Sequence, residues 1–253
     1  MYHKLRTDGG MSVRMLPTVN WRAFLRGHEF DLYELCALFS SGDTQVIKDG
    51  EEYYLSSVEI DNRPESEEFY RAAERVLAIV NGIGQANNGS YRPVALVGRF
   101  QEGDSKQHQV VFPEGIEARV RLGAVAVVTD PEGNEVPPPP PLGPERVGKA
   151  MRHPDAAEAL QIMGRPERTT WIDLYKVYEI IREAKGGEAD LIRSGLATKP
   201  DISAFTGSAN LPSVSGESAR HARLAGTPKR TMQIAEARDF IGRLLTTWID
   251  SLQ

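Results

Sequence analysis

Five consecutive prolines, Pro137 to Pro141, constrain this chain more than any other feature. Each proline locks φ and removes a backbone donor, so neither a helix nor a central strand can cross the run, which favours an extended, stiff spacer. A linker over residues 136–145 is therefore expected, between an N-terminal unit of residues 15–135 and a C-terminal unit of residues 146–253. A ligand for a proline-reading module is the other meaning such a run can carry. A chain of 253 residues is comfortable for two units of ordinary size.

The prolines also separate two charge regimes. Residues 1–140 hold 14 Lys and Arg against 21 Asp and Glu, a balance of −7; residues 141–253 hold 16 against 14, a balance of +2. The two halves thus offer different surfaces to partners. The net charge of −5 argues against a protein that coats DNA. Hydrophobic residues at 40% and charged residues at 26% exclude global disorder.

No apolar stretch approaches the roughly 18 residues a membrane span requires. Lys4 and Arg6 are followed by no apolar block, so no secretory signal is read, and the fold is expected to begin after the Asp8-Gly9-Gly10-Met11 stretch. The single cysteine, Cys36, falls among Leu32, Leu35 and Phe39 and reads as a small core residue. A lone cysteine fits a reducing compartment, and a cytoplasmic protein is expected.

Periodicity predicts an α+β N-terminal half. Thr18 to Arg26 reads as a strand and Glu29 to Phe39 as a short helix. Gln45 to Lys48 and Tyr53 to Ile60 form a hairpin around Asp49-Gly50. Pro64 opens a longer helix striped by Phe69, Ala73, Val76, Leu77 and Val80, and Gly82 and Gly84 are expected to end it. Val94 to Phe100, Gln109 to Phe112 and Ile116 to Val128 follow as strands. The first six elements have the ferredoxin-like βαββαβ order, with extra strands appended.

The C-terminal half reads as a small all-α bundle. Pro154 to Met163 is one helix. Thr169 or Thr170 caps the next, striped by Trp171, Leu174, Tyr175, Tyr178 and Ile181. Those aromatics read as core, with base stacking the sharper alternative. Glu188 to Leu196 reads as a third helix, and Thr231 to Leu252 as the last. Its broad apolar face must bury against other helices or a partner.

Common catalytic motifs are missing: there is no G-x-x-x-x-G-K-[ST], H-E-x-x-H, C-x-x-C or G-x-S-x-G. Gly82-Ile83-Gly84 follows a helix, which rules out a dinucleotide fingerprint. The five histidines are scattered without ligand spacing, so neither a metal nor another cofactor is implied.

The most unusual stretch is 202–230, long and rich in small polar residues, and it is expected to be a loop between helices. From Lys199 to Arg230, five basic residues face two acidic ones. Two readings stand. In one, Arg220 clamps a phosphate and His221 transfers a proton, with Lys199, Ser208, Asn210, Ser215, Arg223 and Arg230 completing a binding set. In the other, the hydroxyls and amide cap local turns of a solvated connector.

Trp21-Arg22, Asp31-Leu32, Tyr53-Tyr54-Leu55, the run Trp171 to Glu179, Ser208-Ala209-Asn210, Ala219-Arg220-His221 and Met232 to Trp248 give the chain its resemblance to uncharacterised bacterial two-domain proteins. The C-terminal half also resembles HEPN domains, helical bundles of bacterial defence and toxin systems, many of which cleave RNA with an arginine and a histidine several residues apart. Here Arg220 and His221 are adjacent, while Arg146 and His153 have six residues between them and precede Pro154. The resemblance implies an RNA-binding or RNA-cleaving protein. The residues themselves point first to an intracellular binding or regulatory protein, with a protein partner or a second copy of the chain, and a phosphate-bearing ligand on the helical half.

Overall fold

A computed structural model of the protein describes residues 21–103, 106–111, 141–219 and 230–253. The expected strand Ile116 to Val128, Pro137 to Pro140, Arg220, His221 and Arg223 lie outside the described residues.

The N-terminal part is α+β. It opens with β1 (Trp21–Arg26) and α1 (Glu29–Leu38). Helix α1 is capped by His28, whose Nδ1 accepts the Phe30 amide. The Asp31 carboxylate is buried and accepts the Arg92 amide. Strands β2 (Thr44–Asp49) and β3 (Glu52–Ser57) form the expected hairpin. Gly50 at its turn has φ +60°, which a side chain would strain. β3 ends earlier than its apolar run suggested, because the Ser57 hydroxyl accepts the Glu59 amide and starts a one-turn helix, α2 (Val58–Asp61).

Helix α3 spans Phe69–Asn87, so it neither begins at Pro64 nor ends at Gly82. Its glycines serve packing. A Cβ on Gly82 would stand 2.1 Å from the Leu160 carbonyl oxygen, and one on Gly84 would stand 2.9 Å from the Tyr91 ring. The glycines let α3 carry a backbone and an aromatic ring directly against it, which outweighs their helix penalty of about 1 kcal/mol each.

Strands β4 (Ala95–Glu102) and β5 (Lys106–Gln109) complete an antiparallel five-stranded sheet of order β2-β3-β1-β4-β5. Ala23 faces Phe100 but Leu25 faces Leu96, so β4 bulges around Gly98, which has φ +88°. Trp21, Ala23, Leu25, Leu55 and Phe100 point into the core from one face of the sheet.

Most described residues beyond the prolines are helical. Helix α4 (Gly143–Arg152) starts inside the expected linker, and α5 (Pro154–Met163), α6 (Trp171–Ala184) and α7 (Glu188–Arg193) follow. Thr170 caps α6 in a reciprocal capping box with Asp173. Residues 202–218 of the expected loop are helical. They fall in α8 (Lys199–Asn210), α9 (Pro212–Ser215) and a 3-10 turn over Gly216–Ser218. Thr198 caps α8 with Pro200 and Asp201 in the first turn, and Ile202, Phe205 and Ala209 bury one face. Helix α10 (Ile234–Asp250) closes the structure.

One buried apolar cluster joins both sides of the proline run. Helix α3 packs against the sheet, and also against α4, α5 and α10. Gly242 of α10 brings that helix onto the Ala86 carbonyl, where a Cβ would lie 2.5 Å away. Among the described residues, no helix is long and apolar enough to cross a membrane.

Candidate anion site

The residues singled out in 199–230 separate once the helices form. Lys199 is exposed in the first turn of α8. Ser208 is fully buried, and its hydroxyl accepts the Met232 amide at 2.7 Å. The Ser215 hydroxyl donates to the Leu211 carbonyl at 2.9 Å and to that of Ala209 at 3.3 Å. Among the described residues, the buried Asn210 Oδ1 has no hydrogen-bond partner. The exposed Arg230 pairs with Asp201 at 2.9 Å and with Glu236, tying the starts of α8 and α10 together. Its pKa is raised by Asp201 first and Glu236 second.

Ser208 and Arg230 thus hold the chain, and their replacement separates two kinds of contact. Ser208→Ala leaves the Met232 amide buried without an acceptor and is expected to cost about 1–3 kcal/mol in urea unfolding. Arg230→Ala removes only solvated pairs and is expected to cost less than about 1 kcal/mol. Equal losses would show that burial does not set the value of these bonds.

Arg146 and His153 have structural partners too. Arg146 grips Asp250 with two hydrogen bonds of 2.8 Å, and Lys149 donates to the Asp250 carbonyl at 2.8 Å. His153 Nε2 lies 3.0 Å from the Gln253 carbonyl oxygen. Both residues fasten α4 to the end of α10. Trp171, Tyr175 and Tyr178 are core, and the two tyrosine rings pack around Phe205.

The strongest unmet charge lies elsewhere. Arg238, on the second turn of α10, is only 7% exposed. Its guanidinium donates Nε to the Thr169 carbonyl and hydroxyl at 3.2 Å each, and Nη2 to the same carbonyl at 2.6 Å. All these acceptors are neutral. Among the described residues, no carboxylate forms a salt bridge with Arg238. Its pKa is lowered to about 10, by burial first and then by repulsion from Arg168 and Arg92. A buried guanidinium with only neutral acceptors, and with two other arginines near enough to repel it, is a candidate contact for an oxyanion, which would relieve both the desolvation and the repulsion.

Three segments build this cluster. Arg168 is exposed just ahead of the Thr170 cap of α6. Arg238 comes from α10. Arg92 comes from the turn after α3, which a buried network holds in place. Asn81 accepts from the Tyr91 hydroxyl at 2.5 Å and the Val94 amide at 3.0 Å, and donates to the Val94 carbonyl at 2.9 Å. The Asn88 amide donates to Glu34 at 2.9 Å, and Gly89 lies against Asp239, which supplies a carboxylate at the rim. Sequence reasoning missed Arg238 because its position among the apolar residues of α10 looks like the polar side of an amphipathic helix. Only its unpaired burial marks it.

Comparison with known proteins finds no protein family, no curated protein and no solved structure that matches this chain.

Proposed function

We propose that this protein is an intracellular binding or regulatory protein that docks a phosphate-bearing ligand at Arg92, Arg168 and Arg238. The observation that carries this reading is the burial of Arg238 among like charges without a carboxylate. A purely structural arginine gains nothing from Arg92 and Arg168, whereas a ligand oxyanion would bridge all three. Burying a charge with neutral partners costs stability, and such a cost is characteristic of binding sites. The sheet with α1 and α3 is inferred to be a ferredoxin-like unit with an added edge strand β5. The order β4-β1-β3-β2 and the antiparallel pairing support this. A protein partner or a second copy of the chain completes the proposal.

Thermal unfolding in inorganic phosphate tests the site. Phosphate at 100 times its dissociation constant should stabilise the protein by about 2.7 kcal/mol, a shift of a few degrees. Arg238→Met should abolish that shift; its midpoint without phosphate is expected to fall by no more than a few degrees, since the Thr169 carbonyl and hydroxyl lose their donor while a disfavoured buried charge is removed. No shift in the parent, or an equal shift in the variant, would refute the site.

The second reading is a HEPN-like protein that binds or cleaves RNA through Arg220 and His221. The observation favouring it is that residues 202–218 fold onto the other helices through Ile202, Phe205 and Ala209, so both residues follow an ordered segment. Loss of RNA cleavage in Arg220→Ala/His221→Ala would support it.

A further inference from the structure

The face of the sheet away from α3 carries a different chemistry from the arginine cluster. Strand alternation and register place Arg22, Phe24 and Arg26 of β1 on it, with Glu52 and Tyr54 of β3 and Val97 and Arg99 of β4. Phe24 and Tyr54 are direct cross-strand partners, with ring centroids 5.9 Å apart. Each ring has a guanidinium over it: Arg99 lies 3.7 Å from the Phe24 centroid and Arg22 lies 5.2 Å from the Tyr54 centroid. Gln45, Gln101, Gln107 and Gln109 share this face by register and surround the stacks with uncharged amides. Val97 is 46% exposed there.

A depression of about 590 Å³ adjoins the Arg99–Phe24 stack, bounded by Arg26, Lys48 and Tyr53 and by the carboxylates of Glu29, Glu51 and Glu52. Tyr53 is 6% exposed, and its hydroxyl has the Lys48 ammonium as its neighbour. Lys48 passes 5.3 Å from that ring, and its pKa is raised by Tyr53 first and by Glu29 and Glu51 further on. The depression therefore offers the guanidinium groups of Arg26 and Arg99 and the Lys48 ammonium, balanced by the carboxylates of Glu29, Glu51 and Glu52, beside the edge of the Phe24 ring.

We propose that this face binds single-stranded nucleic acid, with bases layered on the Arg22–Tyr54 and Arg99–Phe24 stacks and one nucleotide seated in the depression beside Phe24. Unpaired bases expose the π faces that aromatic rings and guanidinium planes receive, and a duplex hides them. Amides read base edges, and arginines meet phosphates. On the sheet face Arg22, Arg26 and Arg99 meet Asp49 and Glu52, a balance of +1, whereas in the depression Arg26, Lys48 and Arg99 are matched by Glu29, Glu51 and Glu52, so stacking rather than net charge carries the reading there. Arg99 is held by Glu52, which keeps its plane over Phe24 before any ligand arrives.

Fluorescence anisotropy with a labelled oligouridylate of about ten nucleotides tests this at low salt. The full chain should bind, with affinity falling steeply as salt rises. Arg22→Ala/Arg99→Ala should weaken binding about tenfold or more without lowering the melting temperature by more than a few degrees, and Phe24→Leu should weaken it at least as much. If Phe24→Leu fails to fold, the arginine variant alone decides. A duplex of equal length should compete poorly. The proposal is overturned by no binding in the parent, by unchanged binding in the arginine variant, or by equal competition from duplex. Binding lost in Arg238→Met but kept in the sheet variants would also overturn it and assign the nucleic acid to the phosphate site.

Discussion

Replacing Gly82 with valine is expected to unfold the protein at ordinary temperature. A Cβ there would stand 2.1 Å from the Leu160 oxygen and 2.7 Å from its carbonyl carbon. Both obstacles are backbone, so neither can rotate away. Overpacking a core with flexible side chains costs about 1–3 kcal/mol, and a clash with backbone lies above that range. A loss of that size is a large part of the roughly 5–15 kcal/mol that holds a typical fold. Gly82→Ala should fall between valine and the parent. Gly50→Asn is the control, because Gly50 has open space around it and asparagine tolerates its positive φ. Thermal unfolding followed by circular dichroism reads all three. Because α3 supports both the sheet and the later helices, the parent should lose both in one cooperative transition. A parental midpoint in Gly82→Val would disprove the close crossing, and two separate transitions would show that the halves do not depend on each other.

The second large effect lies at Asn81, which is 4% exposed and serves three hydrogen bonds at once. Asn81→Leu keeps the bulk but strands the Tyr91 hydroxyl and both polar groups of Val94 in the core. Each buried group left without a partner costs about 1–3 kcal/mol, so a loss of about 3–5 kcal/mol is expected in urea unfolding. The Tyr91 hydroxyl stays protonated throughout the ordinary range, since burial and the nearby Asp31 charge push its pKa well above that of a free tyrosine. Its bond to Asn81 therefore does not change between pH 5 and pH 9. The variant should also lose phosphate stabilisation, because the same network places the turn that carries Arg92. A variant that is weakened in stability but keeps its full phosphate shift would separate Arg92 from the site.

Parts of this outcome were legible in the residues. The Asp49-Gly50 turn, the alternation of β1 and β3 and the Thr170 cap of α6 each rest on contacts within a few positions. Local dihedral preferences and side-chain period decide such features, and both are written along the chain. The N-cap of α8 was also present, as Thr198 with Pro200 and Asp201 after it, but the small polar residues that follow hid the helix. Composition weighs those residues one by one, whereas the helix forms because Ile202, Phe205 and Ala209 find a surface to bury against.

Two features were decided by tertiary structure alone. Gly82 and Gly84 have the local propensity of a helix end, yet α3 runs through them because Leu160 and Tyr91 occupy the space a side chain would take. Arg238 has the local character of any exposed helix arginine. It becomes a candidate ligand contact only because α10 and the start of α6 bury it against neutral acceptors, with Arg168 and Arg92 near enough to repel it. By itself the sequence determined the Asp49-Gly50 turn, the cap at the start of α6 and that its first half pairs strands. The helix that links the halves and the charge left without a counterion depended on residues far apart in the chain meeting in space, because burial and electrostatic repulsion act on distance in the fold.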